Sequence, residues 1–211
     1  RTLEFLKILK KHEIPASIML TLHAENLNEV LPLAERLEGL VDTFSFNRLA
    51  LTGRGSSLSP AEQKTFDLFL EDYLRAAEKW PHLHLKDNLF NRKLYLRGEP
   101  LGGGCTGFGC GAAFNFLALL PDGEVHACRK FPSYLGSIYT RPLWDIYWSE
   151  AGEAYRRGPE ACRGCRLYAV CRGCPAVIAT HGLNPFEDRD PFCPGPLTER
   201  DATSESVTPC E

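Results

Sequence analysis

The chain has 211 residues, 44% of them hydrophobic, with 24 basic residues against 27 acidic ones and a net charge of -3. Length and apolar content suit one or two globular units with a real core, and the charge balance argues against a nucleic-acid surface or a polybasic membrane contact. No apolar run nears the roughly 18 residues that a spanning helix needs.

The opening Arg1-Thr-Leu-Glu-Phe-Leu-Lys lies inside a helical pattern and carries no initiator Met. The sequence is therefore expected to start partway through a longer protein, and its first residues say nothing about targeting. Residues 1 to 13 put Leu3, Phe5, Leu6, Ile8 and Leu9 on a broad helical face, with lysines at the C-terminal end where the dipole favours them. Past Pro15, Ala16 to Leu22 reads as a strand of the nearly continuous apolar kind, buried on both faces. Asn26 is the expected N-cap of a helix over about 27 to 38, with Leu27, Val30, Leu31, Ala34 and Leu37 on one face and Gly39 closing it. A second strand is expected over Val41 to Leu49, followed by the loop Thr52-Gly-Arg-Gly-Ser-Ser.

Helix, strand, helix, strand at such short spacing is the rhythm of an α/β unit with parallel strands. Ser59-Pro-Ala-Glu62 has the form of a capping box opening a long helix to about Lys79. Its stripe of Phe66, Phe69, Leu70, Tyr73, Leu74 and Ala77 reads as core rather than as a ligand wall, and Trp80-Pro81 stops it.

Beyond Pro100 the composition turns glycine-dense, in Leu101-Gly-Gly-Gly-Cys105-Thr-Gly-Phe-Gly-Cys110-Gly, and a domain boundary is placed near Leu96. Without a Lys-Ser/Thr ending this run is no phosphate loop. Phe114 to Leu120 and Glu124 to Cys128 flank Pro121-Asp-Gly123, a strong hairpin signal. That hairpin could bring Cys110 and Cys128 to one end. Pro142-Leu-Trp-Asp-Ile-Tyr-Trp reads as a short helix packing aromatics onto the hairpin, and residues 196–211, poor in apolar groups, as a disordered tail.

The chain contains nine cysteines, five of them between Cys162 and Cys193 in Cys162-Arg-Gly-Cys165, Cys171-Arg-Gly-Cys174-Pro and Asp190-Pro-Phe-Cys193. Paired C-x-x-C spacing, an odd count and an ample core favour metal or cluster ligation in a reducing compartment over a disulfide framework. Glycine between paired cysteines lets the backbone curl so that both sulfurs face one centre. With Cys210 set aside as a spare thiol in the tail, Cys105, Cys110, Cys128, Cys162, Cys165, Cys171, Cys174 and Cys193 make two sets of four. Four thiolates complete either a structural zinc site or an iron-sulfur cube, and counting does not choose. His126 and His181 stand near these cysteines, with second-shell or surface positions as the default; Asp188 and Asp190 are candidate bases whose default is solvation.

The order of a cysteine pair, a Pro-Asp-Gly hairpin, a third cysteine, Gly136-Ser-Ile with Leu143-Trp-Asp-Ile-Tyr, C-x2-C-x5-C, another cysteine and a final Pro-x-Cys resembles the SPASM domain. That domain is the C-terminal extension of many radical S-adenosylmethionine (SAM) enzymes, and the match covers about residues 100 to 195. The resemblance implies an α/β fold in which residues 1–96 are the late part of a radical SAM (β/α) barrel with a linking helix, and 97–195 a small irregular α+β domain. It implies two auxiliary 4Fe-4S clusters, the first on Cys105, Cys110, Cys128 and Cys174 and the second on Cys162, Cys165, Cys171 and Cys193. The family's usual C-x3-C ending is C-x2-C in this sequence, so a grouping of Cys162, Cys165, Cys171 and Cys174 around one metal stays open. By the same resemblance Arg48 and Leu49 border the adenine of S-adenosylmethionine.

The family's C-x3-C-x2-C loop, which carries the cluster that cleaves S-adenosylmethionine, occurs nowhere in this sequence. The chain alone is therefore expected to be inactive, with that third cluster and S-adenosylmethionine belonging to a longer parent. The implied activity is maturation of a ribosomally made peptide or protein in the cytoplasm, with a flavodoxin or ferredoxin as reductant and neither nucleic acid nor membrane as partner. Cys-Arg-Gly-Cys-Pro and Asp-Pro-Phe-Cys look similar to maturases grouped with thio(seleno)oxazole-modified peptides. Two other classes remain: a zinc-stapled protein-binding module and a ferredoxin-like electron carrier.

Overall fold

The computed structural model describes residues 1–105, 107, 109–198 and 201. Helix α1, Thr2–Lys11, buries Leu6 and rests Leu3 and Leu9 on the core. Phe5 and Ile8 of the expected apolar face instead point to solvent. Strand β1, Ser17–Leu22, pairs in parallel with β2, Thr43–Arg48, in a register running from Ser17 opposite Thr43 to Leu22 opposite Arg48. The expectation that β1 is buried on both faces is not met. Ile18, Leu20 and Leu22 turn inward, while Ser17, Met19 and Thr21 stand on an uncovered face.

Asn26 does not cap the next helix. Its Oδ1 accepts from the His23 amide at 2.9 Å and its Nδ2 donates to Thr21 O at 3.0 Å, tying down the loop after β1. A single 3-10 turn at Leu27–Glu29 intervenes before α2, Val30–Leu37. The capping box at Ser59 also fails: Ser59 O accepts from the Ala24 amide at 2.9 Å, residues 59 to 62 stay outside the helix, and α3 runs Gln63–Ala77. Its stripe is as expected, with Phe66, Phe69, Leu70, Tyr73 and Leu74 all buried. Phe46 of β2 is the hub of that core, meeting Phe69 and Tyr73 edge-on with centroids 5.2 Å away. Such pairs add about 0.5–1.5 kcal/mol each beyond the area they bury.

Residues 82 to 84 extend the parallel arrangement along the other edge of β2. Phe44 N donates to His82 O at 2.7 Å, and His84 N donates to Phe44 O at 2.9 Å. Helix α4, Phe90–Leu96, follows and was not foreseen from the sequence.

Past residue 100 the hairpin forms at Pro121-Asp-Gly123, where Gly123 has φ 81. Its strands are shorter than expected: β3 is Ala118–Leu119 and β4 is Glu124–His126, with β5, Tyr134–Ser137, completing an antiparallel sheet in the order β3-β4-β5. In α5, Leu143–Tyr147, only Ile146 is buried. The aromatics expected on the hairpin stack on one another outside it, with Trp144 69% exposed. Helix α6, Glu150–Arg157, is capped by Ser149, and α7, Pro175–Thr180, starts immediately after Cys174.

This segment holds two small apolar clusters, one around Val125, Leu135 and Ile146 and one around Ala112, Phe131 and Ala176. It also sends Val177 and Phe192 into the large core of the first half, so the boundary near Leu96 marks a change of composition rather than a separation in space. Leu197 is 1% exposed, which carries packed structure into the expected tail. Cys210 and the rest of that tail lie outside the described residues. Among the described residues no helix is long and apolar enough to cross a membrane.

Candidate metal centres

The glycine-dense run between Cys105 and Cys110 is built for close backbone approach. Gly104 and Gly109 form a bridge with φ 101 and 87, and a Cβ on Gly109 would sit 2.8 Å from Cys171 O. This closure sets Cys110 against Cys128 and Cys174 in the cluster around Ala112, Phe131 and Ala176. Burial pushes the Cys110 thiol well up, and the charges of Cys174, Cys105 and Cys128 push it further, so all four sulfurs share one neighbourhood. Cys105 is the exposed member.

The second neighbourhood is a narrow cavity walled by Leu89 and Leu167 and lined by Cys162, Cys165, Cys171 and Cys193. Burial pushes Cys162 up to about 11, with Cys193 and Cys165 adding to the shift and Arg189 opposing it. Burial likewise raises Cys193, against the opposing charge of Arg92.

The C-x2-C step lies between these two places. Arg172 and Gly173 both have positive φ, 57 and 67. Two left-handed residues in succession swing the chain, so Cys171 lines the second cavity while Cys174 packs with Cys110 and Cys128. Cys110, Cys128 and Cys174 thus pack in one place, with the exposed Cys105 at the end of a neighbouring hollow, while Cys162, Cys165, Cys171 and Cys193 line another.

Buried thiols are costly to ionise unless a cation compensates. The backbone is already arranged to help. Ala112 N donates to Cys110 Sγ at 3.5 Å, Lys130 N to Cys128 Sγ at 3.5 Å and Leu197 N to Cys165 Sγ at 3.4 Å. Backbone hydrogen bonds from Gly173, Val177 and Gly195 work against the burial of Cys171, Cys174 and Cys193. Among the described residues, no three His, Cys, Asp or Glu side chains converge to hold a single ion.

Residues 110–175 match the SPASM family, described as an iron-sulfur cluster-binding domain. The chain is also 28% identical, over 218 aligned residues, to an AdoMet-dependent heme synthase of Methanosarcina barkeri (strain Fusaro / DSM 804). The cysteine-bearing segment is thus similar to SPASM domains, and most of the chain is similar to that synthase. The alignment covers 92% of this chain and 60% of that relative, so the chain spans about three fifths of the relative's length.

Arg48 and Leu49, expected to border adenine, are both buried in this fold. Leu49 is 4% exposed. The Arg48 guanidinium is buried, with Nε donating to Asp87 at 2.6 Å and its two terminal nitrogens donating to Asp190 at 2.6 and 2.8 Å, between the rings of Phe66 and Phe192. Every direction from which a ligand would approach is filled. Asp190 is accordingly no solvated base, and Asp188 accepts from the Asn184 amide in an exposed turn. His126 uses both nitrogens, on Glu124 and on the Ser133 amide, while His181 bonds Val177 O and packs on Phe192. Neither is placed as a ligand.

A different surface is open. The uncovered face of β1 and β2, through Ser17, Met19, Thr43 and Ser45, forms with His84 and Lys86 a polar hollow of about 310 Å³ that ends at Cys105.

Sequence reasoning missed α4 and the turn before it. Asn91, fully buried, donates to Gly103 O at 3.0 Å and to Val170 O at 2.5 Å and accepts from Gly103 N at 2.6 Å. Asn88 donates to Cys171 O at 3.3 Å and to Gly173 O. These amides clamp both ends of the cysteine-bearing segment. The available signal was Asp87-Asn88 ahead of periodic Leu89, Phe90 and Leu94.

Proposed function

We propose that this chain is the auxiliary-cluster part of a radical SAM enzyme. One 4Fe-4S cluster is held by Cys105, Cys110, Cys128 and Cys174, and a second by Cys162, Cys165, Cys171 and Cys193. The observation that carries this reading is the division of the eight thiols between two neighbourhoods by the left-handed Arg172-Gly173 step. When bound, such clusters supply one-electron transfer or a ligation point for substrate. The protein's part is to shelter the other seven sulfurs at least partly from water, to aim amide donors at several of them, and to leave Cys105 at the end of an open hollow. The parallel strands β1 and β2, with 82 to 84 beside them, support reading residues 1–96 as barrel, and the hollow on their uncovered face as the approach for substrate and S-adenosylmethionine.

For the substrate, two readings rest on different observations. Peptide maturation rests on the short Cys-Arg-Gly-Cys-Pro and Asp-Pro-Phe-Cys runs. A heme-pathway substrate rests on an alignment to a heme synthase that runs over 92% of this chain, and is the reading preferred. A flavodoxin or ferredoxin would deliver electrons in either case.

Metal analysis of anaerobically purified chain tests the cluster reading. It expects about eight iron and eight sulfide per chain; about two zinc ions without sulfide would sink it. Titration with an iron porphyrin, read by its Soret band, against a cysteine-bearing peptide, read by anisotropy, separates the substrates. Saturable binding of the peptide alone would reverse the preference.

A further inference from the structure

The geometry points to Asp190 as a positioning residue shared by both cysteine neighbourhoods, with Arg48 holding it in place. The inference rests on the two-cluster reading above. Asp190 is 2% exposed, and its two carboxylate oxygens serve different ends of the same seam. Oδ2 accepts from the amide of Cys174 at 2.9 Å, and Oδ1 accepts from the amide of Phe192 at 3.0 Å, one residue before Cys193. The Cys193 amide donates to Asp190 O at 2.9 Å. A ligand of the first centre and a ligand of the second are thus anchored to one residue.

The packing leaves the carboxylate no alternative position. A Cβ on Gly173 would stand 2.8 Å from Asp190 Cβ, and Arg48 grips both oxygens from β2, 142 residues away. With Asp87 on its Nε, the buried group is one arginine against two carboxylates and carries a net negative charge. Cluster potential depends on net charge and on hydrogen bonds near the sulfurs. A negative group touching both ligand sets therefore holds both potentials down together.

The test is reductive titration of the iron-loaded chain with dithionite, each centre taking one electron without any bond being made or broken, followed by electron paramagnetic resonance. Cys128→Ala and Cys162→Ala, each emptying one site, assign the two signals. Asp190→Asn keeps the shape and removes the charge; both midpoint potentials are expected to rise, that of the Cys174 centre more. Full iron content with one or both potentials unmoved overturns the inference, as does lost iron with unshifted potentials in the centres that remain, since that is a purely structural role. If Asp190→Asn does not fold, Asp87→Asn decides: it neutralises the same buried group without touching a cysteine amide, and a smaller rise in both potentials is expected, with no rise as the overturning result. Wild-type chain lacking iron and sulfide would instead fell the two-cluster reading itself.

Discussion

The two halves of this chain hold themselves together by different means. The first gathers most of its buried apolar side chains into one core around Phe46, Phe66, Tyr73 and Phe90. The second has two clusters of only a few residues each, lends Val177 and Phe192 to the large core, and carries all eight described cysteines. A segment with so little apolar surface to bury relies on cross-links or metals to fold. The comparison teaches that the thiols belong to the stability of the second half as much as to its chemistry.

The widest break between the halves comes from stripping metal. Anaerobic chelation is expected to lower amide hydrogen-exchange protection over residues 110–175, without unfolding them, while α2, α3 and β2 keep theirs; uniform loss would show one cooperative unit. Next in size, Phe46→Ala removes the aromatic hub and is expected to cost about 3–5 kcal/mol in urea unfolding. Gly109→Ala forces a positive φ on alanine and drives its Cβ into Cys171 O; a loss of about 1–3 kcal/mol follows from strain alone, with reduced iron as the sign that the loop no longer closes.

A smaller effect separates metal-free from loaded protein. In the metal-free fold Cys110, Cys162, Cys171, Cys174 and Cys193 are all raised, chiefly by burial. The folded state then binds more protons than the unfolded one once pH passes the unfolded thiol value of about 8.5. Metal-free stability should be complete below that pH and fall as pH rises toward the folded values, about 11 for Cys162. Urea midpoints between pH 7 and the alkaline limit check the sign. Smallest of all, Trp144→Ala on the exposed aromatic helix should stay within about 0.5 kcal/mol of the parent.

What could be read from the sequence was what local chemistry decides. The Pro-Asp-Gly hairpin and the stripe of α3 depend on residues close in the chain, whereas the partition of the thiols came only with the resemblance to the SPASM domain. Arg48 and Asp190 were illegible because each is charged, and a lone charge reads as solvated until its partner, 142 residues away, is known. The capping box at Ser59 lost to a tertiary contact with Ala24, and the apolar look of β1 did not say that only one of its faces would be covered. The Asn88 and Asn91 clamp had a local trace, but its purpose lay in the cysteine segment it binds.

The left-handed pair Arg172-Gly173 also bears on how the protein avoids errors of assembly. A spacing such as C-x2-C measures contour length and is silent about direction. Here direction is set by backbone handedness, so the four thiols of the dense segment cannot be gathered by one incoming metal unless both residues leave their positive-φ wells and Gly173 pulls away from Asp190. A single compact knuckle on Cys162, Cys165, Cys171 and Cys174 would have to pull Cys174 away from Cys110 and Cys128.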